Sequence, residues 1–298
     1  MILTKACIAP AAPVAAQESD PYIHRIRDLI FDASGIYHPE TKFYYLRDRC
    51  LRRMQVIGAF TLAEYHDLLT RGAECDIELK ELLNEITVGE TCFFRNQPQL
   101  DALTRQVLPP VVAAKSKLGF RHLRVWSAGC ATGEEAYTLA MVLQEETASQ
   151  LKGWTFEVIG TDLNERSLER AREGVYNEYA LRNVPLHFRL KYFQRTGERF
   201  RVREELRKAV HYGRLNLRED SRMVFMKAMD VIFCCNVLIY FGAQPKRRVI
   251  QHFHNNLLPG GCLFLGHAES LFGINDEFKM VHFPLTAGYF KAGRGAGG

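Results

Sequence analysis

From Arg121 onward, short apolar runs alternate with helical patterns, and this alternation restricts the fold more than any other feature of the 298-residue sequence. Strands that alternate with helices at this spacing predict an α/β fold with a doubly wound, mainly parallel sheet. The apolar runs are 123–127, 156–161, 231–235 and 262–266, and the helical patterns are 135–146, 168–172 and 246–258.

The alternation breaks between residues 188 and 213, where the sequence predicts a small antiparallel β insertion. Turn-forming residues between short apolar segments are typical of antiparallel strands. Here Thr196-Gly197 would form the turn. The predicted strands are 191–193, 199–202 and 210–212.

The first third of the folded chain has a helical pattern, which predicts a small all-α N-terminal domain over residues 18–96. Thr61 and Glu64 have the spacing of a capping box. A helix through Leu108, stopped by Pro109-Pro110, would join the two domains within a linker over residues 97–118. The sequence predicts three further parts: a disordered tail over residues 1–17, the sheet domain over residues 119–291 and a flexible tail over residues 292–298.

The composition excludes several classes of protein. With 47% hydrophobic and 24% charged residues, the chain is neither disordered nor fibrous. It lacks an apolar run near the roughly 20 residues needed to span a bilayer. The eight cysteines form no C-x-x-C pair, which argues against a zinc site and favours reduced thiols in the cytoplasm. A net charge of +5 permits an acidic partner without requiring nucleic acid.

The segment Val125–Glu135 predicts a buried strand, a glycine-containing loop and the start of a helix, which is the layout of a nucleotide-type cofactor site. Gly129 and Gly133 would let the backbone approach a ligand closely. Glu134 and Glu135 would repel a phosphate, so they favour S-adenosylmethionine (SAM), which carries a sulfonium and an ammonium group. Alternatively, the two carboxylates only stabilise the helix N-terminus.

Two further polar residues follow predicted strands. Asp162 ends the strand after the glycine loop, where a carboxylate can accept both hydroxyl groups of a ribose. Asn236 follows the apolar run 231–235, at the edge where open α/β sheets bind ligands. Each has an alternative: Asp162 as a helix N-cap and Asn236 as a turn residue.

Together, these elements resemble the chemotaxis-receptor methyltransferases, the CheR-type protein-glutamate O-methyltransferases, from about Asp20 to Lys291. The resemblance implies a Rossmann-like SAM-dependent methyltransferase domain over residues 119–291. The motifs that carry it are residues 86–95, the loop 126–135, Gly160-Thr161-Asp162, Asn216-Leu217, residues 236–240 and, as the family's closing strand, residues 266–270.

The resemblance also implies which residues contact the cofactor. The sequence departs from the family at Gly89, where Asn is frequent, and at Cys235, where Arg is common. The second departure removes a positive charge near the site. The predicted cofactor contacts are Gly89, Thr91, Arg95, Gly129, Glu135, Asp162, Asn216, Leu217, Asn236 and Val237.

The implied reaction transfers a methyl group from SAM to glutamate side chains of the cytoplasmic helices of a chemoreceptor, giving methyl esters and S-adenosylhomocysteine for chemotactic adaptation. A glutamate with a pKa of about 4.3 is ionised at neutral pH, so the reaction needs no strong base. It needs no metal either. Arg95 would hold the carboxylate electrostatically, and Tyr240 would position the substrate.

The helical domain suggests how the receptor is recognised. Arg47, Arg49, Arg52 and Arg53 would form a basic surface that attracts an acidic receptor helix, or simply a solvated face. We expect a cytoplasmic monomer that meets the membrane only through its receptor and does not bind nucleic acid. Two alternatives stay open: a methyltransferase for another substrate on the same fold, and a SAM-binding regulatory module without catalysis.

Overall fold

The computed structural model describes residues 20–71 and 73–293. The predicted tail over 1–17 lies outside the described residues, as do residues 294–298 of the predicted C-terminal tail. The N-terminal helices are α1 (Pro21–Ser34), α2 (Phe43–Ile57), α3 (Leu62–Arg71) and α4 (Cys75–Ile86).

These helices begin where the sequence satisfies their first backbone N–H groups. Asp20 accepts a hydrogen bond from the Tyr22 N–H at 3.0 Å at the start of α1. Before α3, the predicted capping box is confirmed, since the Glu64 N–H donates to Thr61 Oγ1 at 3.1 Å and the Thr61 N–H to Glu64 Oε2 at 3.2 Å. The apolar faces of all four helices pack into one core around Ile26, Leu46, Tyr65 and Leu82.

The helical segment after this core does not stop at the two prolines, so that expectation is wrong. Helix α5 (Gln97–Ala102) continues through a π-helical turn over Leu103–Val107 into α6 (Leu108–Lys117). Pro109 and Pro110 lie in the first turn of α6, directly after the π-helical turn. The prolines therefore lie within a continuous helical segment, at the change from the π-helical turn to α6.

Within the described residues, seven strands form one sheet in the order β6-β2-β1-β7-β8-β10-β9. The first five strands of this order are parallel, and β9 and β10 add an antiparallel edge. The predicted doubly wound sheet is confirmed. The strands are β1 (His122–Ala128), β2 (Thr155–Asp162), β6 (Val210–Arg214), β7 (Met229–Cys234), β8 (Leu257–Leu265), β9 (Phe278–Phe283) and β10 (Thr286–Lys291).

Helices and apolar side chains cover both faces of this sheet. Strand β1 lies between β2 and β7. The chain runs from β1 to β2 and β6 on one side of β1, and then to β7 and β8 on its other side. Such a switch point opens a crevice at the carboxyl ends of the strands. The remaining helices are α7 (Glu134–Glu146), α8 (Glu165–Glu173), α9 (Leu186–Tyr192), α10 (Glu204–Lys208), α11 (Asp220–Met223) and α12 (Ala243–Asn256).

A small antiparallel sheet is present, but two of the three predicted strands are wrong. The sheet consists of β3 (Val175–Tyr176), β5 (Arg199–Val202) and β4 (Phe193–Thr196). The predicted strand 191–193 overlaps β4 only at Phe193, because residues 191 and 192 end α9. Residues 210–212 belong to the main sheet, where they start β6, which pairs in parallel with β2 from Val158 to Asp162. Helix α10 precedes β6 and completes a strand–helix–strand crossover onto the main sheet.

The predicted closing strand at residues 266–270 is also wrong. Strand β8 ends at Leu265, and the following residues form a loop next to the carboxyl ends of the parallel strands. Within residues 20–71 and 73–293, no helix combines the length and the apolar character that spanning a bilayer requires.

Backbone and side-chain hydrogen bonds attach the helical part to this end of the sheet. Ile36 forms an antiparallel bridge with Phe241, and the Tyr37 N–H donates to the Tyr240 carbonyl at 2.9 Å. Asn216 Nδ2 donates to the Ala33 carbonyl at 2.8 Å. The helical part is therefore fixed over the crevice.

Arg53 does not belong to the predicted basic surface. It is buried, and its guanidinium donates to both carboxylate oxygens of Glu78, at 3.0 Å and 2.6 Å. The Tyr65 hydroxyl donates to the same carboxylate at 2.8 Å. Leu46, Cys50 and Arg53 follow the i, i+4, i+7 spacing of a buried helical face, which explains why Arg53 points inward.

Replacing Arg53 with Ala should lower the free energy of unfolding by about 3–5 kcal/mol, because Glu78 would stay buried without its cation. Urea denaturation followed by circular dichroism measures this loss. Arg52→Ala is the matched control: Arg52 is exposed and pairs with Asp48 at 3.1 Å, so its loss should cost less than about 1 kcal/mol. Equal stability of the two variants would contradict a structural role for Arg53.

Candidate functional site

A cavity of about 560 Å³ lies at the carboxyl ends of β1, β2 and β7, where the sheet has its switch point. Its volume is typical of small-molecule sites. Residues of the helical part and of the following loop line it together with the strand ends. All the predicted cofactor residues line this cavity: Gly89, Thr91, Arg95, Gly129, Glu135, Asp162, Asn216, Leu217, Asn236 and Val237.

The glycine loop has a backbone that other residues would distort. Gly129 has a φ of 77°, and its N–H donates to the Thr161 carbonyl at 2.7 Å. A Cβ atom at Gly129 would lie 2.4 Å from Val237 Cγ2, which is too close for any real contact. The loop therefore passes close to the β7 end because residue 129 has no side chain.

Glu135 places a buried carboxylate at the floor of the cavity. The Ser127 hydroxyl, on β1, donates to Glu135 Oε1 at 2.6 Å. Burial raises the pKa of Glu135 to about 6, and the Ser127 hydrogen bond and the charge of Arg95 limit the rise. A carboxylate in this environment gains most from a positively charged ligand.

Asp162 provides a second buried carboxylate at the end of β2. Its Oδ2 accepts the Ala131 N–H and its Oδ1 accepts the Asn164 N–H, each at 2.8 Å. Burial raises its pKa, and these hydrogen bonds oppose the rise. Each oxygen keeps a lone pair for a ligand hydroxyl. The alternative role as a helix N-cap is wrong, since Asn164 caps α8 with a hydrogen bond from the Ser167 N–H at 3.1 Å.

The loop after β7 is held by a carboxylate that the sequence analysis did not assign. Glu269 accepts N–H groups from Asn236 at 2.8 Å, Gly266 at 2.7 Å and Ile239 at 3.2 Å. Asn236 has a φ of 62°, a strained value that these hydrogen bonds help to maintain. The signal in the sequence was an acidic residue shortly after the end of β8.

Asn216 uses its side chain for protein contacts. Its Nδ2 donates to the Ala33 carbonyl, and its Oδ1 accepts the Arg218 N–H at 3.1 Å. Leu217 is buried beside it in the cavity wall. The segment therefore links the helical part to the cavity.

The two predicted catalytic residues also line the cavity. Arg95 is exposed, and its Nη1 donates to the Glu90 carbonyl at 3.1 Å. Tyr240 is half-buried, burial raises the pKa of its hydroxyl, and this hydroxyl has no hydrogen-bond partner within the described residues. Both polar groups can therefore face a ligand.

The predicted receptor-binding arginines lie outside the cavity, along α2. Arg47 and Arg52 are exposed, and Arg49 is half-buried, with its guanidinium carbon 4.8 Å from the ring centre of Tyr45. Sequence reasoning missed the residues between α1 and α2 and in the first turn of α2 that do line the cavity, because no strand motif marks this segment. These missed residues are Tyr37, His38, Lys42, Tyr44 and Tyr45.

Comparison with known proteins agrees with this architecture. Residues 22–87 match the family model of the CheR methyltransferase all-alpha domain, and residues 89–286 match that of the CheR methyltransferase SAM binding domain. The chain belongs to the CheR methyltransferase family. The resemblance and the SAM-dependent methyltransferase fold predicted from the sequence motifs are thus confirmed.

Named members of the CheR family match most of the chain. Chemotaxis protein methyltransferase 2 of Vibrio cholerae is 32% identical over 272 residues, which are 91% of this chain and 93% of that protein. The chemotaxis protein methyltransferase of Escherichia coli is 31% identical over 266 residues, 88% of each chain. Chemotaxis protein methyltransferase 1 of Pseudomonas aeruginosa is 33% identical over 253 residues, 83% of this chain and 89% of that protein.

The cavity fits the cofactor of the CheR family. SAM combines a cationic amino-acid end with a ribose, and the cavity contains two carboxylates, Glu135 and Asp162, of the kind that can hold a cation and hydroxyl groups. The part of the chain that the structure describes holds no group of three His, Cys, Asp or Glu side chains placed to bind a metal ion.

Replacing Glu269 with Gln should weaken cofactor binding about tenfold, because the amide has a single acceptor oxygen and its NH2 group would face a backbone N–H, which releases the Asn236 loop. Calorimetric titration with S-adenosylhomocysteine measures the effect. Glu277→Gln is a control on an exposed carboxylate of the same chain segment. Unchanged affinity in the Glu269 variant would show that the loop keeps its shape without this carboxylate.

Proposed function

We propose that this methyltransferase transfers the methyl group of SAM to glutamate side chains on the cytoplasmic helices of a chemoreceptor, producing methyl esters. The observation that carries the proposal is one cavity with two buried carboxylates, Glu135 and Asp162, that also contains the unpartnered hydroxyl of Tyr240 and the cation of Arg95. The names of the relatives support chemotaxis as the process.

On the cofactor side, Glu135 holds the amino-acid end and Asp162 holds the ribose. When bound, SAM supplies a methyl group on a positively charged sulfur. The carboxylate of Glu135 is fixed by Ser127, so it does not reorganise when the ligand enters. Gly89 contributes its backbone, since it has no side chain to replace the Asn frequent in the family.

On the substrate side, the protein has little acid–base chemistry to perform. A glutamate side chain is ionised at neutral pH. Tyr240 donates a hydrogen bond that orients the carboxylate, and Arg95 attracts it to the cavity. Alignment and the exclusion of water then account for the rate.

The receptor reaches the site along α2, whose exposed Arg47 and Arg52, with Arg49, attract an acidic helix. Arg53 is excluded from this surface by its burial against Glu78. The enzyme acts as a cytoplasmic monomer and meets the membrane only through the receptor.

The deciding experiment supplies labelled SAM and a receptor cytoplasmic fragment. We expect labelled protein that releases methanol on mild base treatment, as a carboxyl ester does. Arg95→Ala and Tyr240→Phe should lower kcat/KM for the receptor about 10- to 100-fold, the effect of losing a hydrogen bond to a charged group. The melting temperature of each variant should change little. The Tyr240 hydroxyl has no hydrogen-bond partner among the described residues, and Arg95 is exposed. Base-stable label, or no label, would reject the proposal.

Cofactor affinity should depend on pH through Glu135. The ammonium group of the ligand needs the ionised carboxylate of Glu135, and burial raises the pKa of this carboxylate to about 6. Affinity for S-adenosylhomocysteine should therefore be constant between pH 7.5 and 6.5 and fall by up to about tenfold per unit below pH 6. The ammonium group of the ligand becomes only more protonated as the pH falls, so its own titration cannot cause this loss of affinity.

Glu135→Gln is the matched control for this pH dependence. The amide cannot ionise, so its affinity should be low and nearly independent of pH from 7.5 to 5. Calorimetry over that range separates the two proteins. A fall of equal steepness in the variant would assign the titration to another group.

A further inference from the structure

His38 is a buried histidine without a hydrogen bond. Its side chain lines the cavity although the residue is only 6% exposed. Within the described residues, neither ring nitrogen contacts a protein donor or acceptor, and Nδ1 is fully shielded from solvent. The unpaired Nδ1 is costly and out of reach of a ligand, so Nε2, which is neither shielded in this way nor hydrogen-bonded to a described residue, is the ring nitrogen available to a ligand in the cavity.

Backbone contacts fix His38 next to Tyr240. The preceding residues form the Ile36–Phe241 bridge and the hydrogen bond from the Tyr37 N–H to the Tyr240 carbonyl at 2.9 Å. The imidazole stacks on Tyr45, with ring centres 6.1 Å apart and an angle of 15° between the planes. The ring is therefore positioned before a ligand arrives.

The environment of His38 keeps the ring neutral. Burial and the nearby charge of Lys42 both lower the pKa of His38. A neutral imidazole has one N–H donor and one acceptor nitrogen at pH 7. Such a donor can orient an anion without adding a buried positive charge beside a cationic cofactor.

We propose that His38 binds the methyl-accepting carboxylate of the substrate through its ring N–H, together with the hydroxyl of Tyr240. This inference rests on the proposed function. One carboxylate oxygen forms a bond to the methyl carbon while the methyl–sulfur bond breaks and its electron pair stays on sulfur. No proton is exchanged, so His38 keeps its ring proton throughout.

The test compares His38→Phe, which keeps an aromatic ring against Tyr45, with His38→Gln, which restores an N–H donor. His66→Phe is the matched control. His66 Nδ1 is also buried without a hydrogen bond, with Asp67 Oδ1 3.7 Å away, and its ring also lies near a tyrosine, Tyr22, but His66 does not line the cavity. The measurements are kcat/KM for a receptor fragment at saturating SAM, affinity for S-adenosylhomocysteine, and melting temperature.

His38→Phe should lower kcat/KM for the receptor about 10- to 100-fold and leave S-adenosylhomocysteine affinity within about twofold. His38→Gln should recover most of the rate, and His66→Phe should match the wild type. Wild-type kinetics in His38→Phe would overturn the inference. The inference would also be overturned if His38→Phe lowered cofactor affinity as much as kcat/KM and His38→Gln restored neither, because His38 would then have a structural role. If the wild type itself forms no base-labile ester, the proposed function fails, and this inference with it.

Discussion

Two carboxylates removed from water, Glu135 in the first turn of α7 and Asp162 at the end of β2, set the requirements for the rest of the site. Glu135 and Asp162 lose hydration on burial, which raises the pKa of both. The fold compensates with fixed donors: the Ser127 hydroxyl for one, and the N–H groups of Ala131 and Asn164 for the other. These donors stabilise the charges only in part, so the cavity retains a preference for a ligand with a positive charge at one end and hydroxyls at the other.

The helical part completes the cavity, and two of its contacts with the sheet domain are made by the backbone alone. The bridge between Ile36 and Phe241 and the hydrogen bond from Tyr37 to Tyr240 do not depend on particular side chains. Asn216 adds a side-chain contact from the cofactor side to Ala33 at the end of α1. A cofactor that contacts Asn216 and holds it in place would therefore also stabilise the helical part in its position over the cavity.

Residues at strand ends were predictable from sequence, and residues placed by distant pairing were not. Gly129, Glu135 and Asp162 follow apolar runs, and parallel strands bring their ends together regardless of the rest of the chain. The partner of residues 210–212 depends on an edge of β2 that lies far away in sequence, which is why they were assigned to the wrong sheet. Arg53 shows a different limit: a shift of one position on a helix turns a side chain by about 100°, so an arginine-rich run does not reveal which member faces the core.

The departure at Cys235 changes the charge balance around Glu135. Where the family commonly has Arg, this chain has a thiol, whose Sγ lies 3.3 Å from Gln99 Oε1, and burial raises the pKa of that thiol well above its usual value. The thiol is therefore neutral and gives Glu135 no permanent cation. Arg95 is exposed and solvent screens its charge, so it replaces such a partner only in part. In the proposed binding mode, the ammonium group of the cofactor is then the main counter-charge of Glu135, and occupancy of the site depends on the ionisation of this one carboxylate.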